Sequence, residues 1–165
     1  MVTELLSIEN AKLLWKNFSG EEKRFNRKGD RNFCVRLTEE EYTKYKEMGW
    51  NCKMTMPKEG FEDEEPLFYL PVAVGYKARP PKIMLITSTH QTSLSESDIN
   101  ILDWADIVNV DLIIRPYNYD VNGNEGTKAY VKAMYVTIQE DEFASKYNDI
   151  PLDDLEADAM LSRWQ

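Results

Sequence analysis

Residues 110–138 read VDLIIRPYNYDVNGNEGTKAYVKAMYVTI, and this stretch decides the fold. Two runs of alternating side chains flank Asn122-Gly123, a dipeptide that favours the tight turn of a β-hairpin. With a two-residue turn, the predicted cross-strand pairs are Val121–Asn124, Tyr117–Lys128 and Arg115–Tyr130. The stretch is therefore predicted to form one long antiparallel hairpin.

Because side chains alternate along a strand, this pairing sorts the hairpin into two faces. The first face is apolar and predicted to be buried; it comprises Val110, Leu112, Ile114, Pro116, Ala129, Val131, Ala133 and Tyr135. The second comprises Arg115, Tyr117, Tyr119, Lys128, Tyr130 and Lys132, with Ile113 and Met134 towards the far end. Tyrosines interleaved with cations favour a surface on which bases stack while Lys and Arg follow a phosphate backbone. An ordinary exposed strand face with cross-strand Tyr–Lys pairs is the alternative interpretation.

The charge of the chain is unevenly distributed. The net charge is −9, but residues 139–165 hold eight acidic residues against two cations, a net charge of −6. A second acidic cluster comprises Glu59, Glu62, Asp63, Glu64 and Glu65. Without these two segments the remaining body is slightly positive, so the overall acidity does not exclude a polyanionic ligand.

Two short basic segments are further candidates for contact with a polyanion. The loop at 19–30 is predicted to be a flexible basic arm that closes over a nucleic-acid strand, although a solvated surface loop is equally compatible with it. Its candidate residues are Lys23, Arg24, Phe25, Arg27 and Lys28, with Arg31 just beyond. The stiff connection at 77–82 contributes Lys77, Arg79 and Lys82, three cations that could hold phosphates.

The rest of the chain is predicted to be mainly β. Strands are predicted over 8–18, 32–37, 50–56, 67–76 and 83–87, and helices over 39–48, after Thr38 with Glu41 as a capping box, and 95–105. Many short strands with two brief helices favour a small Greek-key or barrel domain. The predicted organisation is one domain over 1–138 followed by an acidic tail over 139–165.

The sequence contains no pattern that predicts catalysis. The single histidine, His90, lacks a partnering acid and nucleophile, and it forms no zinc-ligand pattern with Cys34 and Cys52. Asp103, Asp106 and Asp111 have the only carboxylate spacing relevant to a nuclease, and the alternative is that they are capping or solvated residues. We therefore expect no enzymatic activity, no metal and no cofactor. No apolar run approaches a membrane span and no signal peptide is visible, so a cytoplasmic protein with reduced thiols is expected.

Several segments together resemble bacteriophage and prophage proteins of a single-stranded DNA-binding family. They are RNFCVRL (31–37), GWNCKM (49–54), YKARPPKI (76–83), LDWADIVNVDLIIRPYNYDVNG (102–123) and GTKAYVKAMYVTIQEDEF (126–143). The resemblance implies an OB-fold-like five-stranded Greek-key barrel with two or three short helices and an extended hairpin. It also implies non-sequence-specific coating of single-stranded DNA during phage replication and recombination in the host cytoplasm, with the hairpin face and the loop at 23–31 contacting DNA.

The acidic tail also resembles the end of other phage and bacterial single-strand binders. Its candidate partner-binding residues are Asp153, Asp154, Glu156, Asp158 and Trp164, which would recruit replication or recombination proteins. A short helix docked on the body is the alternative for this segment. An alternative function for the whole chain is an acidic phage interaction protein that mimics nucleic acid and inhibits a host factor. The sequence is also compatible with a homo-oligomer.

Overall fold

A computed structural model describes residues 2–24, 26–56, 59–60 and 64–139. Over these ranges the chain forms nine strands, one α-helix and one short 3₁₀ helix. The strands are β1 (Leu6–Ile8), β2 (Lys12–Asn17), β3 (Arg31–Leu37), β4 (Lys53–Thr55), β5 (Leu67–Val74), β6 (Lys82–Ile86), β7 (Gln91–Ser93), β8 (Ile107–Val121) and β9 (Asn124–Ile138). The helix α1 spans Glu39–Met48, and the 3₁₀ helix spans Ile99–Asp103. The predicted tail is outside these ranges apart from Gln139.

All nine described strands belong to one mixed sheet. The main order is β1-β8-β9-β5-β3-β2, in which β9 runs parallel to β5 and every other neighbouring pair is antiparallel. Strand β4 adds to β5, β6 adds in parallel to β9, and β7 adds to β6. The end strands β1 and β2 do not pair with each other, so across the described ranges the sheet does not close. The mainly β class is confirmed, whereas a closed five-stranded barrel is not what these residues form.

The long hairpin of β8 and β9 has the predicted register. Val121 pairs with Asn124, Tyr117 with Lys128 and Arg115 with Tyr130. The turn residues Asn122 and Gly123 both have positive φ, at 54° and 84°, as a tight hairpin turn requires. The extended hairpin is therefore confirmed, with each strand 15 residues long.

The predicted faces are wrong at the far end of the hairpin, where a β-bulge lies at Lys132. Ile114 pairs with Val131 but Ile113 pairs with Ala133, so Lys132 is an extra residue in β9. Beyond it the alternation is inverted: Met134 is fully buried, whereas Tyr135 is half-exposed on the opposite face. The predictions of a buried Tyr135, an outward Met134 and a regularly paired Lys132 are wrong, because strict alternation cannot show where an extra residue enters a strand.

The helix α1 has both predicted ends. The Thr38 hydroxyl accepts from Glu41 N at 3.1 Å, and the Glu41 carboxylate accepts from Thr38 N at 2.9 Å, which together form a capping box. Gly49 ends the helix with φ 109°, a conformation that glycine adopts without steric strain. These local signals were sufficient to predict both ends of α1, because each involves residues within one helical turn.

The second predicted helix is only a 3₁₀ turn, so the predicted number of helices is wrong for the described part of the chain. Ile99 and Leu102 are fully buried as expected. Their spacing of three places them on one side of a 3₁₀ helix, where residues i and i+3 eclipse. Trp104, which follows this helix, is 73% exposed.

The predicted first strand is divided into β1 and β2. Asn10, between them, has φ 51°, and the Ala11 amide donates to Val110 O at 2.7 Å. A second irregularity interrupts β2 against β3 between Leu14 and Asn17. Trp15, inside this interruption, has φ 50°.

The core lies on the apolar face of the sheet. It includes Phe33, Val35, Leu70, Val72, Ile83, Leu112, Ile114, Val131 and Val136, none more than 1% exposed. The opposite side, which we call the outer face, carries Arg115, Tyr117, Tyr119, Lys128 and Tyr130. A one-residue slip of the hairpin would place these charges in the core, so apolar burial holds them outside.

Candidate nucleic-acid interface

Four residues of the hairpin form one cluster on the outer face. The Arg115 guanidinium carbon is 4.9 Å from the Tyr130 ring centroid, and Lys128 Nζ is 5.2 Å from the same centroid. Tyr117 meets Tyr130 edge to face, with 6.0 Å between centroids and 82° between planes. Among the described residues the buried Arg115 Nε has no hydrogen-bond partner, and the guanidinium lies against the ring of Tyr130.

The two tyrosines of this cluster have different environments. A Cβ added to Gly75 would lie 3.0 Å from Tyr130 Cε1, which shows that Tyr130 packs closely against the backbone directly after β5. Tyr117 is 54% exposed. Tyr117 is therefore the ring available to a base, whereas Tyr130 is a support that holds two cations in place.

Tyr119 is also held by its neighbours. It pairs with Gly126, and a Cβ at residue 126 would collide with the Tyr119 ring. The glycine therefore lets the ring lie flat across β9. This packing reduces the conformational freedom of the Tyr119 side chain.

A cleft of about 1140 Å³ lies beside this cluster. Its walls are the outer face of the hairpin, residues 71–76 at the end of β5 and just beyond it, the loop at 77–79, Arg27 and the segment at 29–32. On one edge of β5, β4 pairs only with residues 67–69 and β9 joins only at 72–73. Pro71, which has no amide hydrogen to share, lies in the gap and contributes to the cleft.

The loop between β2 and β3 is built around Asn26. Its side-chain amide donates to the carbonyl oxygens of Glu21 (2.9 Å), Arg27 (3.1 Å) and Asp30 (3.0 Å). Gly29 N donates to Gly20 O at 2.8 Å and closes the base of the loop. The segment is therefore an internally hydrogen-bonded loop rather than the flexible arm expected, and its cations project from a defined backbone.

Arg31 anchors this loop at the edge of the cleft. Its Nε donates to Phe18 O at 3.1 Å, and its Nη1 lies 3.1 Å from Glu96 Oε1. Its guanidinium carbon is 5.8 Å from the Tyr76 ring centroid. Burial raises the pKa of Tyr76, and the positive charge of Arg31 opposes part of this increase. Arg31 thus combines a structural role with a charge at the cleft.

The cleft is strongly cationic although the chain is acidic. Seven cations line it, against two carboxylates: Arg27, Arg31, Lys53, Lys77, Arg79, Arg115 and Lys128 against Asp30 and Glu96. The chain as a whole carries −9. The field inside the cleft is therefore opposite in sign to the net charge of the molecule, which favours an anionic ligand at this position.

The structure brings together most, but not all, of the predicted contact residues. Arg27, Arg31, Lys77, Arg79, Arg115, Tyr117, Tyr119, Lys128 and Tyr130 line the cleft, whereas Lys23, Arg24, Lys28, Lys82 and Lys132 do not. Lys82 Nζ lies instead 5.5 Å from the Tyr135 ring centroid. Phe25 and the tail residues Asp153, Asp154, Glu156, Asp158 and Trp164 are outside the described ranges, so their predicted roles stay predictions.

Lys53 is a cleft residue that the sequence reasoning missed. It was predicted only as part of a strand, and its position depends on β4 pairing with β5, with Lys53 opposite Tyr69. The alternation Lys53-Met54-Thr55 shows which side chains share a side but not which strand lies beside them. No local signal could have placed it in the cleft.

Two of the remaining candidates for chemistry, Asp103 and Asp111, have structural roles. The Asp103 carboxylate accepts from the amides of Phe18 (2.8 Å) and Ser19 (2.9 Å), and Asp111 Oδ1 accepts from Asn10 N at 3.1 Å. Both carboxylates therefore hold backbone amides of the N-terminal segment, and neither caps a helix. Over the ranges that the structure describes, no three metal-binding side chains cluster. In the same part of the chain, no helix is both long and apolar enough to cross a membrane.

Comparison with known proteins gave one family and a set of similar structures. A family model described as "Putative phage ssDNA-binding domain" matches residues 1–162. The single-stranded DNA-binding protein from bacteriophage Enc34, C-terminally truncated, aligns with a TM-score of 0.52 at 8% identity, over 83% of this chain and 87% of that one. The Enc34 protein in complex with ssDNA aligns with a TM-score of 0.50 at 10% identity, over 84% and 89%. These likenesses show a shared fold. No curated protein matches the chain.

Proposed function

This chain belongs to the phage single-stranded DNA-binding domain family, and on that premise we propose that it binds single-stranded DNA without sequence preference in the cleft beside the hairpin. The observation that carries the proposal is the charge inversion described above. Seven cations and an exposed tyrosine converge in one cleft of a chain whose net charge is −9. Non-specific single-strand binders combine these two components, a cationic groove and an aromatic platform.

The cleft residues have different binding roles, which follow from their chemistry. Lys77 and Arg79 are exposed on the loop after β5 and pair with phosphates. Tyr117 offers its ring to a base, and Tyr130 keeps Arg115 and Lys128 oriented through cation–π contacts with its ring. Phosphates and the faces of bases are common to every sequence, so these contacts select single strands without reading base identity.

The biological setting is a further part of the proposal. Coating of phage single-stranded DNA during replication or recombination in the host cytoplasm is the role we propose. The acidic segment from 139 onward would recruit other replication or recombination proteins, and no catalytic step is assigned to the chain. An anionic mimic that inhibits a host factor is less well supported, because cations outnumber carboxylates seven to two in the cleft.

The direct test is Tyr117→Ala, measured by fluorescence anisotropy with labelled oligo-dT. Loss of one stacking platform weakens binding by about 1–3 kcal/mol, or roughly 5- to 150-fold in Kd. The matched control is Trp104→Ala, which removes another exposed ring, outside the cleft, and should leave Kd unchanged. A wild-type protein that fails to bind oligo-dT would refute the proposed function, and would favour the mimic if the same protein blocked DNA binding by a host factor.

A further inference from the structure

We propose that Trp15 and Tyr69 form a second binding station for the same DNA strand, reached from the cleft by way of Lys53 and Pro71. This inference rests on the proposed function and extends it. The cleft would hold one part of the strand, and the outer face of β2, β3 and β5 would hold the next. Together the two stations determine how many nucleotides one molecule covers.

The backbone at Trp15 is the first observation. Trp15 has φ 50°, a left-handed conformation that disfavours a bulky side chain by roughly 1–2 kcal/mol. Burial of the ring does not compensate for this backbone strain, since Trp15 is 60% exposed. A large apolar ring that is held in a strained conformation and still faces water gains little from folding, and such strain accumulates at functional positions.

The second observation is the set of side chains around the ring. Trp15 meets Tyr69 edge to face, with 5.0 Å between centroids and 85° between planes. Tyr69 is paired with a cation on each side, Arg36 in β3 and Lys53 in β4. Arg36 in turn pairs with Lys12 in β2. One cross-strand row therefore carries three exposed cations and a tyrosine, and Trp15 packs against that tyrosine. This arrangement repeats the chemistry of the Tyr117 cluster.

The third observation is that the two stations are continuous. Tyr69, Pro71 and Ala73 alternate along one side of β5, and Ala73 pairs with Tyr130 of the first cluster. The separation along β5 from Ala73 to Tyr69 is about 13 Å, at the usual rise of a strand. Pro71 and Lys53 line the cleft, so they connect it to the row at Tyr69.

Charge determines the direction in which the strand leaves the cleft. The connection that precedes β5 is acidic, with Glu64 and Glu65 directly before Pro66 and Leu67. A phosphate backbone avoids these carboxylates and follows the cations of β3 and β2 instead. The path therefore ends over Trp15 rather than at the tip of β4.

The test compares oligo-dT of two lengths, about 5 and about 15 nucleotides, near the two ends of the range of single-strand site sizes. Trp15→Ala should weaken binding of the longer oligonucleotide by roughly 5- to 150-fold and leave the shorter one, held in the cleft, unaffected. Trp15→Phe keeps a ring and should recover most of the loss. Tyr117→Ala should weaken both lengths, and Trp104→Ala neither. Thermal unfolding of each variant verifies that it is folded.

Tryptophan fluorescence provides an independent readout. In a chain with Trp104→Phe and Trp164→Phe, the remaining tryptophans are Trp15 and Trp50, and Trp50 is only 2% exposed. The longer oligonucleotide should quench this emission and the shorter one should not. If the wild type binds both lengths while Trp15→Ala has no effect, or the same effect on both, the second station is refuted and the proposed function stands. If the wild type binds neither, the proposed function itself fails.

Discussion

Removal of two cations from the cleft should change the salt dependence of DNA binding by a calculable amount. Lys77 and Arg79 are exposed in the loop between β5 and β6, so Lys77→Gln with Arg79→Gln should alter stability little. Each phosphate contact with a single strand contributes about −0.7 to the slope of log K against log[salt]. The double variant should therefore have a slope that is smaller in magnitude by about 1.4.

The absolute numbers follow from the composition of the cleft. If all seven lining cations contact phosphates, the wild-type slope approaches about −5. Between 50 and 200 mM salt the wild type then loses about 10³-fold in affinity and the double variant about 10²-fold. The defect of the variant should consequently be about sevenfold smaller at 200 mM than at 50 mM, because the lost contacts are the salt-sensitive ones.

The assay is fluorescence anisotropy with labelled oligo-dT at several salt concentrations. The control is Lys44→Gln with Lys46→Gln, which makes the same change in net charge on exposed positions of α1, outside the cleft. Its slope should equal that of the wild type. Equal slopes for the wild type and the cleft variant, or equal losses of slope in both double variants, would show that net charge rather than the cleft governs binding.

The remaining predictions concern single positions. Glu96→Gln should tighten oligo-dT binding up to about fivefold in titrations at low salt, because an exposed ion pair worth about 0.2–1 kcal/mol no longer competes with phosphate for Arg31; weaker binding would contradict this. Burial raises the pKa of Cys34 and of Cys52 from 9.0 to about 11, so alkylation at pH 8 should be much slower in the folded than in the unfolded protein. Because the folded pKa is raised, the stability linked to these thiols is complete below pH 9.0 and is lost as the pH rises towards 11, which denaturant titrations at pH 8 and pH 10.5 can verify. Finally, Trp15→Gly should be more stable than Trp15→Ala by about 1 kcal/mol in thermal or denaturant unfolding, since only alanine keeps the strain of a positive φ; equal stabilities would remove the argument from strain.

Elements that depend on neighbours in sequence were predictable. The register of β8 and β9 follows from Asn122-Gly123 and from the alternation of apolar and polar side chains. Both signals lie within 29 consecutive residues. The ends of α1 follow from Thr38, Glu41 and Gly49, which act within one turn. The sequence alone therefore determined that Arg115, Tyr117 and Tyr130 share the side of the hairpin opposite the core.

Only the tertiary structure decided what surrounds those residues. The bulge at Lys132 lies where the pairing partner of β9 changes: residues 129–130 pair with β5, and residues 133–137 pair with β6. Hydrophobic periodicity in the sequence does not show this change of partner. Likewise, Lys53 enters the cleft and Trp15 meets Tyr69 because distant strands become neighbours in the sheet. Alternation records which side of a strand a residue occupies, whereas the identity of the adjacent strand depends on packing of the entire core. The cleft and its charge are for that reason properties of the folded sheet.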